Sequence, residues 1–267
     1  MTLTLGGSDV ALVLGPGGPV GTAWLFGLAA GLRRTGVDPA SADVLVGTSA
    51  GAIAGAALAV GRDLEELSDL PPVRPGEEGA DLAVMPRVFE ILNAPGADPR
   101  EARRRVGALA READAPPEER HLAGMEFLLG TRTWPDTALL ITAVDVDGGD
   151  PVVWTREDGV PLHAAVASSS AAPGFTAPIT IDGRLYMDGA FGGGSNVHLA
   201  RGAGTVILIE PMGQASPEGA DLWITPDDAA REAFGPNVGD RSRWAEVYKA
   251  GVRQSADLVD TVGSLLP

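Results

Sequence analysis

Residues 43–60 read DVLVGTSAGAIAGAALAV, and this stretch decides the fold class of the 267-residue chain. Its mostly apolar start, 43–46, predicts a short buried strand, and the small residues of 52–60 are compatible with a helix. Between them lies GTSAG, residues 47–51, whose two glycines predict a sharp turn from strand to helix. The stretch therefore predicts a strand–turn–helix unit, the building block of α/β proteins.

A second unit of this kind lies upstream. Residues 11–14 (ALVL) predict a buried strand, GPGGPVG at 15–21 predicts a tight loop, and 21–34 predicts a helix with an apolar stripe. Two successive strand–loop–helix units predict a parallel sheet with helices packed on it. The later predicted elements are strands at 138–144 and 151–155, a helix at 161–170, a hairpin of 179–181 and 185–187, a last buried strand at 205–209, and a final helix at 244–266.

The segment 61–136 differs in composition, because prolines divide it into short helical pieces and its charge density is higher. We interpret it as a helical cap inserted into one domain rather than as an independent domain. On this interpretation the whole chain, 1–267, is a single domain, and 211–267 is a C-terminal extension that ends in a helix.

The formal net charge of −16 and the absence of cysteine exclude several classes of function. Nucleic acid repels so acidic a chain, so we expect no nucleic-acid partner, and without cysteine there is no thiolate nucleophile or thiolate metal site. Residues 145–150 (DVDGGD) lack the glutamate of a calcium loop and predict a polar hairpin turn. A basic cluster lies among acidic residues and predicts a solvated helix face; it comprises Arg100, Arg103, Arg104 and Arg105. The sequence contains no signal peptide and no membrane-spanning stretch, so we expect a soluble cytoplasmic protein.

Ser49, at the centre of GTSAG, is the candidate nucleophile. A serine on a strand-to-helix turn projects its hydroxyl clear of the sheet, and the N-terminus of the following helix favours negative charge there. Gly47 and Gly51 allow neighbouring elements to approach closely. The pentapeptide alone leaves open that Ser49 is an ordinary surface serine, because such strings are common in Ala/Gly-rich chains.

A serine hydroxyl needs a base to remove its proton, and the chain offers three histidines, His121, His163 and His198. Of these, only His198 follows the acid in the order of an α/β-hydrolase triad. We favour Asp188, because it ends an apolar strand, precedes Gly189 and would have its pKa raised by an apolar pocket. An Asp-Gly turn that merely closes a hairpin is the alternative.

The glycine loop, residues 15–21, has the composition of an anion-binding loop at a helix N-terminus. Its spacing fails the dinucleotide-binding motif, since Val20 stands where the last glycine belongs, and the lysine of a phosphate-binding loop is absent. The loop suits an oxyanion hole, with the N–H groups of Gly17 and Gly18 as donors because Pro16 has none. A tight turn without a ligand is the alternative.

GPGGPVG (15–21), GTSAG (47–51) and DGA (188–190), in this order, resemble the patatin-like phospholipase family. The pattern of that family is a glycine-rich oxyanion loop after the first strand, G-x-S-x-G at the nucleophile, and then D-G-G or D-G-A. The segment 168–178 is also similar to the segment that precedes the aspartate in the family, and Asn196 matches an asparagine that commonly follows it.

The resemblance, which spans roughly residues 10–210, implies a three-layer α/β/α fold with a mostly parallel central sheet. It also implies hydrolysis of carboxylic ester bonds of lipids through an acyl-serine intermediate, with Ser49 as nucleophile and Asp188 as base. The oxyanion hole is implied at Gly17 and Gly18, and no cofactor or catalytic metal is implied. The residues that complete the motifs are Gly15, Gly21, Gly47, Gly51, Gly189 and Asn196.

Two positions in the glycine loop depart from the family pattern: Pro16 stands where glycine is usual, and Val20 where arginine or lysine is usual. Val20 and the net charge of −16 weaken the expected attraction to anionic phospholipid, so neutral or short-chain esters are candidates too. We expect a lipid or small ester as the substrate, with transient contact to a membrane surface. The alternative is a catalytically silent relative that binds an acyl ligand or a protein partner.

Overall fold

The computed structural model describes residues 5–70, 83–213 and 218–267. Within these residues, eight strands form one sheet. The strands are β1 (Val10–Leu14), β2 (Val44–Gly47), β3 (Ala138–Asp145), β4 (Pro151–Trp154), β5 (Ile179–Ile181), β6 (Arg184–Asp188), β7 (Thr205–Ile209) and β8 (Leu222–Ile224). The α-helices are α1 (Gly18–Arg34), α2 (Ala50–Ala59), α3 (Val84–Leu92), α4 (Pro99–Glu112), α5 (Glu118–Leu129), α6 (Leu162–Ser169), α7 (Ala190–Gly193), α8 (Asp228–Phe234), α9 (Trp244–Ser255) and α10 (Val259–Gly263).

The sheet is parallel at its centre and antiparallel at one side. The hydrogen-bonded order is β5-β6-β3-β2-β1-β7-β8, and β4 also pairs with β3. The pairs β1–β2, β1–β7, β2–β3 and β7–β8 are parallel, whereas β3–β4, β3–β6 and β5–β6 are antiparallel. Helices α1, α2 and α6 pack on one face, and α3 and α4 pack on the other, because alternate side chains of the strands point to opposite faces. The expected three-layer α/β/α arrangement is therefore confirmed.

Most predicted elements are present, but two predicted helices have other bounds and several short elements, among them β8, are additional. Helix α1 begins at Gly18 rather than at residue 21, because Pro19 fits the first turn, where a helix needs no N–H. The helix predicted at 244–266 is divided into α9 and α10, since the hydrogen bonds after Ser255 lead to the residue three back rather than four back. Strand β8 is additional, and its three residues with an exposed Trp223 are too short for a periodic pattern.

The predicted hairpin at 179–187 is confirmed, and its turn has a simple cause. Strands β5 and β6 are antiparallel, with Ile179 opposite Tyr186. The two turn residues, Asp182 and Gly183, have φ angles of 50° and 76°. Positive φ at both positions is typical of the two-residue hairpin turn that Asp-Gly favours. The hairpin delivers the end of β6 to the centre of the sheet.

The basic residues of α4 contact the turn between β3 and β4. Arg100 Nε donates a hydrogen bond of 2.9 Å to the carbonyl of Gly148, and Arg103 Nε donates one of 2.6 Å to that of Gly149. Arg100 also pairs with Asp150 at 2.7 Å. The predicted helix face is exposed, and it also docks α4 onto the polar hairpin turn predicted at 145–150. Exposed pairs of this kind contribute at most about 1 kcal/mol each, so they orient α4 more than they stabilise it.

The predicted cap and the predicted extension both have helices that pack on the sheet or its helices, in two separate apolar clusters. Helices α3 and α4 share an apolar cluster with Met187 of β6, and α9 lies along α1, where Trp24 Nε1 donates 2.9 Å to Gln254 Oε1. The division into a cap at 61–136 and an extension at 211–267 stays a prediction. Parts of these ranges and the chain start lie outside the described residues, namely 71–82, 214–217 and 1–4. Within the described ranges, none of the helices has the length and apolarity that a bilayer span requires.

Candidate active site

The two halves of the candidate site meet on one edge of β3. Ile141 of β3 pairs with both β2 and β4, and Ala143 pairs with both β6 and β4. Because β4 occupies one edge of β3 in both cases, β2 and β6 share the other edge. Strand β2 runs parallel to β3 and ends at Gly47, whereas β6 runs antiparallel and ends at Asp188, so the two C-terminal ends face each other. The strand pairing therefore brings Ser49 to Asp188.

Ser49 lies on a sharp turn between β2 and α2. Its φ of 56° and ψ of −117° are unusual for a residue other than glycine and indicate local backbone strain. Gly51 is required because the turn packs against β1, where a Cβ at this position would collide with the carbonyl oxygen of Leu14. The same carbonyl accepts a hydrogen bond of 3.0 Å from the N–H of Thr48. The strand–turn–helix context that GTSAG predicts is confirmed.

Ser49 and Asp188 are directly hydrogen-bonded. The hydroxyl of Ser49 donates a hydrogen bond of 2.6 Å to Oδ2 of Asp188, and the N–H of Ala190 donates one of 2.8 Å to Oδ1. Both residues are buried, with 6% of Ser49 and 4% of Asp188 exposed. Burial raises the pKa of Asp188 to about 7, while the hydrogen bonds from Ser49 and Ala190 act to lower it. A carboxyl with this pKa suits proton transfer near neutral pH.

The glycine loop joins β1 to α1 beside the turn. Gly17 is buried at the start of α1, and Gly18 has a φ of 60°, a left-handed conformation that suits glycine. Neither of these N–H groups donates a hydrogen bond to a described residue, whereas the N–H of Val20 donates 3.3 Å to the carbonyl of Val238. Gly17 and Gly18, the donors predicted from the sequence, are therefore the two N–H groups of the loop that can bind an anion.

A further backbone donor lies at the start of α2. The N–H of Ala50 donates no hydrogen bond to a described residue, and the helix N-terminus concentrates positive partial charge beside Ser49. The N–H of Ser49 itself donates 3.0 Å to Oγ of Ser169. The sequence does not single out Ala50 or Ser169, because a backbone N–H has no residue-type signal and Ser169 is one of three consecutive serines.

Asn196 belongs to a buried polar layer beneath the turn, formed with Thr48, Thr142 and Ser195. Asn196 Nδ2 donates a hydrogen bond of 3.1 Å to Oγ1 of Thr48 and one of 3.3 Å to the carbonyl of Gly189. Thr48 Oγ1 lies 2.9 Å from Thr142 Oγ1 and donates 3.3 Å to the carbonyl of Ser195. The asparagine thus links the residue before Ser49 to the residue after Asp188. The sequence does not assign a role to Thr142, because a single polar residue in an apolar strand belongs to no motif.

The histidines lie elsewhere. None of the three donates to or accepts from Ser49: His198 is exposed, His163 is buried in α6, and burial lowers the pKa of His121 to about 4. The contact between Ser49 and Asp188 therefore favours the aspartate over His198 as the base. Among the described residues, no group of three or more His, Cys, Asp or Glu is arranged to hold a metal ion.

Residues 83–201 match the family model described as Patatin-like phospholipase. The matched segment includes Asp188 and Asn196 and begins after Ser49. The resemblance to the patatin-like phospholipase family is confirmed. At the level of the family, the match supports a lipid-hydrolysing enzyme. No curated protein matches the chain significantly.

Solved structures of low sequence identity also align with this chain. VipD from Legionella pneumophila aligns with a TM-score of 0.50 and 13% identity, over 95% of this chain and 67% of VipD. The type III effector protein ExoU aligns with a TM-score of 0.42 and 15% identity, over 97% of this chain and 54% of ExoU. The chain thus spans about two thirds of VipD and about half of ExoU. At this identity, the alignment with VipD supports the fold alone.

Proposed function

We propose that this patatin-like chain is a serine acyl hydrolase that cleaves carboxylic ester bonds of lipids through an acyl-serine intermediate. The observation that carries the proposal is the hydrogen bond of 2.6 Å from Ser49 Oγ to Oδ2 of the buried Asp188. A hydroxyl paired with a carboxyl whose pKa lies near neutrality has a partner that can take its proton during attack.

In the first half-reaction, Ser49 Oγ attacks the carbonyl carbon of the ester and its proton passes to Oδ2 of Asp188. Negative charge develops on the carbonyl oxygen, and the N–H groups of Gly17 and Gly18 stabilise it. When the tetrahedral intermediate collapses, the alcohol leaves with the proton from Asp188. The acyl group stays on Ser49.

In the second half-reaction, a water molecule attacks the acyl-serine. Asp188 accepts a proton from this water, the same oxyanion site stabilises the second intermediate, and the carboxylic acid leaves while Ser49 regains its proton. Asp188 must be ionised at the start of each half-reaction. We therefore expect activity to rise as the pH increases through about 7, the pKa of this carboxyl.

Three features of the described residues support a reactive serine rather than a structural one. The strained backbone at Ser49 is typical of a nucleophilic serine on a strand-to-helix turn. The N-terminus of α2 favours negative charge at this position. Asn196 holds the two loops that carry Ser49 and Asp188 in one arrangement.

The substrate class that we propose is a lipid ester or a small ester. The family description supports a lipid, while Val20 and the net charge of −16 argue against strong attraction to anionic headgroups. Neutral lipids and short-chain esters therefore fit the chain at least as well as anionic phospholipids do.

A series of chromogenic esters of increasing acyl-chain length tests the proposal. The wild type is expected to hydrolyse one or more of them, and Ser49→Ala is expected to lower kcat by at least about 1,000-fold. Ser264→Ala, which removes an exposed hydroxyl near the C-terminus, is the matched control and should retain the wild-type rate. Equal rates for wild type and Ser49→Ala would contradict the proposal.

The second candidate is a silent relative that binds an acyl ligand without hydrolysing it. The observation that favours it is the short supply of donors in the glycine loop: Pro16 has no N–H, and that of Val20 is taken by Val238. This candidate predicts that no ester is hydrolysed, while a fatty acid raises the melting temperature of the wild type. Hydrolysis that depends on Ser49 excludes it.

A further inference from the structure

The edge of the sheet that carries Ser49 contains a second buried carboxyl, Glu210. This residue directly follows β7, as Gly15 directly follows β1, and the two parallel strands pair with Leu14 opposite Ile209. The N–H of Gly15 donates 2.9 Å to the carbonyl of Ile209. Glu210 and the first residue of the glycine loop therefore lie side by side.

The carboxyl of Glu210 fills the space that a side chain at position 15 would take. A Cβ on Gly15 would collide with Oε2 of Glu210, so a larger residue at position 15 would require the carboxyl to move. Glu210 is 2% exposed, and its Oε2 has no hydrogen-bond partner among the described residues. An ionised carboxylate accepts hydrogen bonds only, and leaving one of its oxygens buried without a donor is costly. The protonated form of Glu210 is therefore favoured.

Glu210 is also connected to the machinery around Ser49. The side chain of Ser195 lies close enough to the carboxyl of Glu210 to act on its pKa. The backbone carbonyl of Ser195 accepts a hydrogen bond of 3.3 Å from Oγ1 of Thr48. Thr48 in turn donates its N–H to Leu14, the residue before the glycine loop. The carboxyl thus touches the start of the glycine loop directly and the serine turn through the polar layer.

The surroundings of Glu210 offer no charge to balance an ionised carboxylate. Burial raises the pKa of Glu210 to about 7, while the nearby Ser195 side chain acts to lower it, and no charged side chain of the described residues contributes. The ionisable groups that follow the neighbouring elements have other partners or are exposed. Asp227 after β8 pairs with Arg253 at 2.6 Å, His198 after Ser195 is exposed, and Asp188 is bonded to Ser49 beyond the polar layer.

We propose that Glu210 is a positioning residue that fixes the glycine loop for oxyanion binding and acts in its protonated form. This inference rests on the proposed function. Once ionised, Glu210 places a negative charge beside the loop that must stabilise a negative oxygen, and like charges in a buried site repel strongly. Hydrolysis then requires Asp188 ionised and Glu210 protonated, so the rate is highest in a narrow range around neutral pH.

Profiles of kcat/KM against pH for the wild type and Glu210→Gln test this inference. The wild type is expected to show a rise from Asp188 and a fall on the alkaline side from Glu210. Glu210→Gln keeps the rise and loses the fall, so the ratio of its kcat/KM to that of the wild type is about 50-fold higher at pH 9 than at pH 7, because the protonated fraction of a carboxyl with a pKa of about 7 falls by that factor. Glu232→Gln, at an exposed glutamate of α8, is the matched control and keeps the alkaline fall.

An alkaline fall of equal size in Glu210→Gln would overturn the inference while leaving the proposed function intact. A wild type that hydrolyses no ester would overturn both. If Glu210→Gln does not fold, a second measurement tests the inference without it. Infrared titration of Asp188→Asn, in which Glu210 is retained, should show one buried carboxyl that loses its proton near neutral pH. The absence of such a carboxyl band would also overturn the inference.

Discussion

Asp188 and Glu210 are two buried carboxyls at strand ends of one sheet, and burial raises the pKa of each to about 7. Their hydrogen-bond partners differ. Asp188 has a donor for each oxygen, Ser49 Oγ and Ala190 N–H, whereas Oε2 of Glu210 has none among the described residues. A carboxylate with both oxygens paired can stand ionised beside a nucleophile, and one with an unpaired oxygen favours its proton. Because both carboxyls are buried to a similar extent, the hydrogen-bond donors around each one determine whether it acts ionised or protonated.

The largest expected effect is the loss of activity in Asp188→Asn. Asparagine keeps the shape of the side chain but cannot accept the proton of Ser49, so kcat/KM is expected to fall by about 1,000-fold or more. Glu210→Gln is expected to lose at most about tenfold at pH 7, because glutamine mimics the protonated acid. Ester hydrolysis at pH 7 measures both. The matched control is His198→Ala, which should keep most of its rate, and a loss there equal to that of Asp188→Asn would make histidine the base.

The next effect is on stability, and its sign follows from the raised pKa of Asp188. Between about pH 4 and pH 7, Asp188 keeps its proton in the folded protein but has lost it in the unfolded chain. Its contribution to the free energy of unfolding is therefore fully present at low pH and is lost as the pH rises through about 7. Asp188→Asn does not lose stability in this way, because asparagine does not titrate. Its free energy of unfolding relative to wild type should therefore increase by on the order of 3 kcal/mol from pH 4 to pH 8.

Urea unfolding at the two pH values measures this difference. Asp182→Asn, in the exposed turn of the β5–β6 hairpin, is the matched control and should show no such trend. Glu210→Gln is expected to change in the same direction as Asp188→Asn, because burial dominates the pKa of both carboxyls. A difference that is constant with pH would mean that Asp188 is not desolvated in the folded protein.

The smallest effect concerns the link between the two loops. Asn196→Gly removes the hydrogen bonds to Thr48 and Gly189 but tolerates the φ of 57° at this position. We expect kcat to fall about tenfold with KM little changed, since the two hydrogen bonds that link the loops are lost. Kinetics at pH 7 test this, with Asn93→Gly at the exposed end of α3 as control. An unchanged kcat would make the layer purely structural.

The sequence alone predicts the parts of the structure that depend on short residue patterns. Glycines around Ser49 predict the turn, Asp-Gly predicts the β5–β6 hairpin, and apolar runs predict the central strands, because each pattern acts within a few residues. The pairing of Ser49 with Asp188 is predicted only through the order of motifs, since the scarcity of histidine and the family resemblance point to it.

The remaining features depend on strand register and close packing, which a single sequence does not contain. Glu210 gains its position because β7 pairs with β1 in one register, and Thr142 gains its role because β3 lies between the two loops. Neither residue belongs to a recognisable motif. The break between α9 and α10 is likewise a local change in hydrogen bonding that the helical pattern of 244–266 does not predict.

Covalent labelling with a fluorophosphonate, followed by peptide mapping, tests the central claim most directly. The account predicts one adduct, on Ser49, with no labelling of Ser49→Ala and much slower labelling of Asp188→Asn, because the probe needs a serine whose proton can be removed. An adduct on another serine, or equal labelling of Asp188→Asn and the wild type, would contradict it.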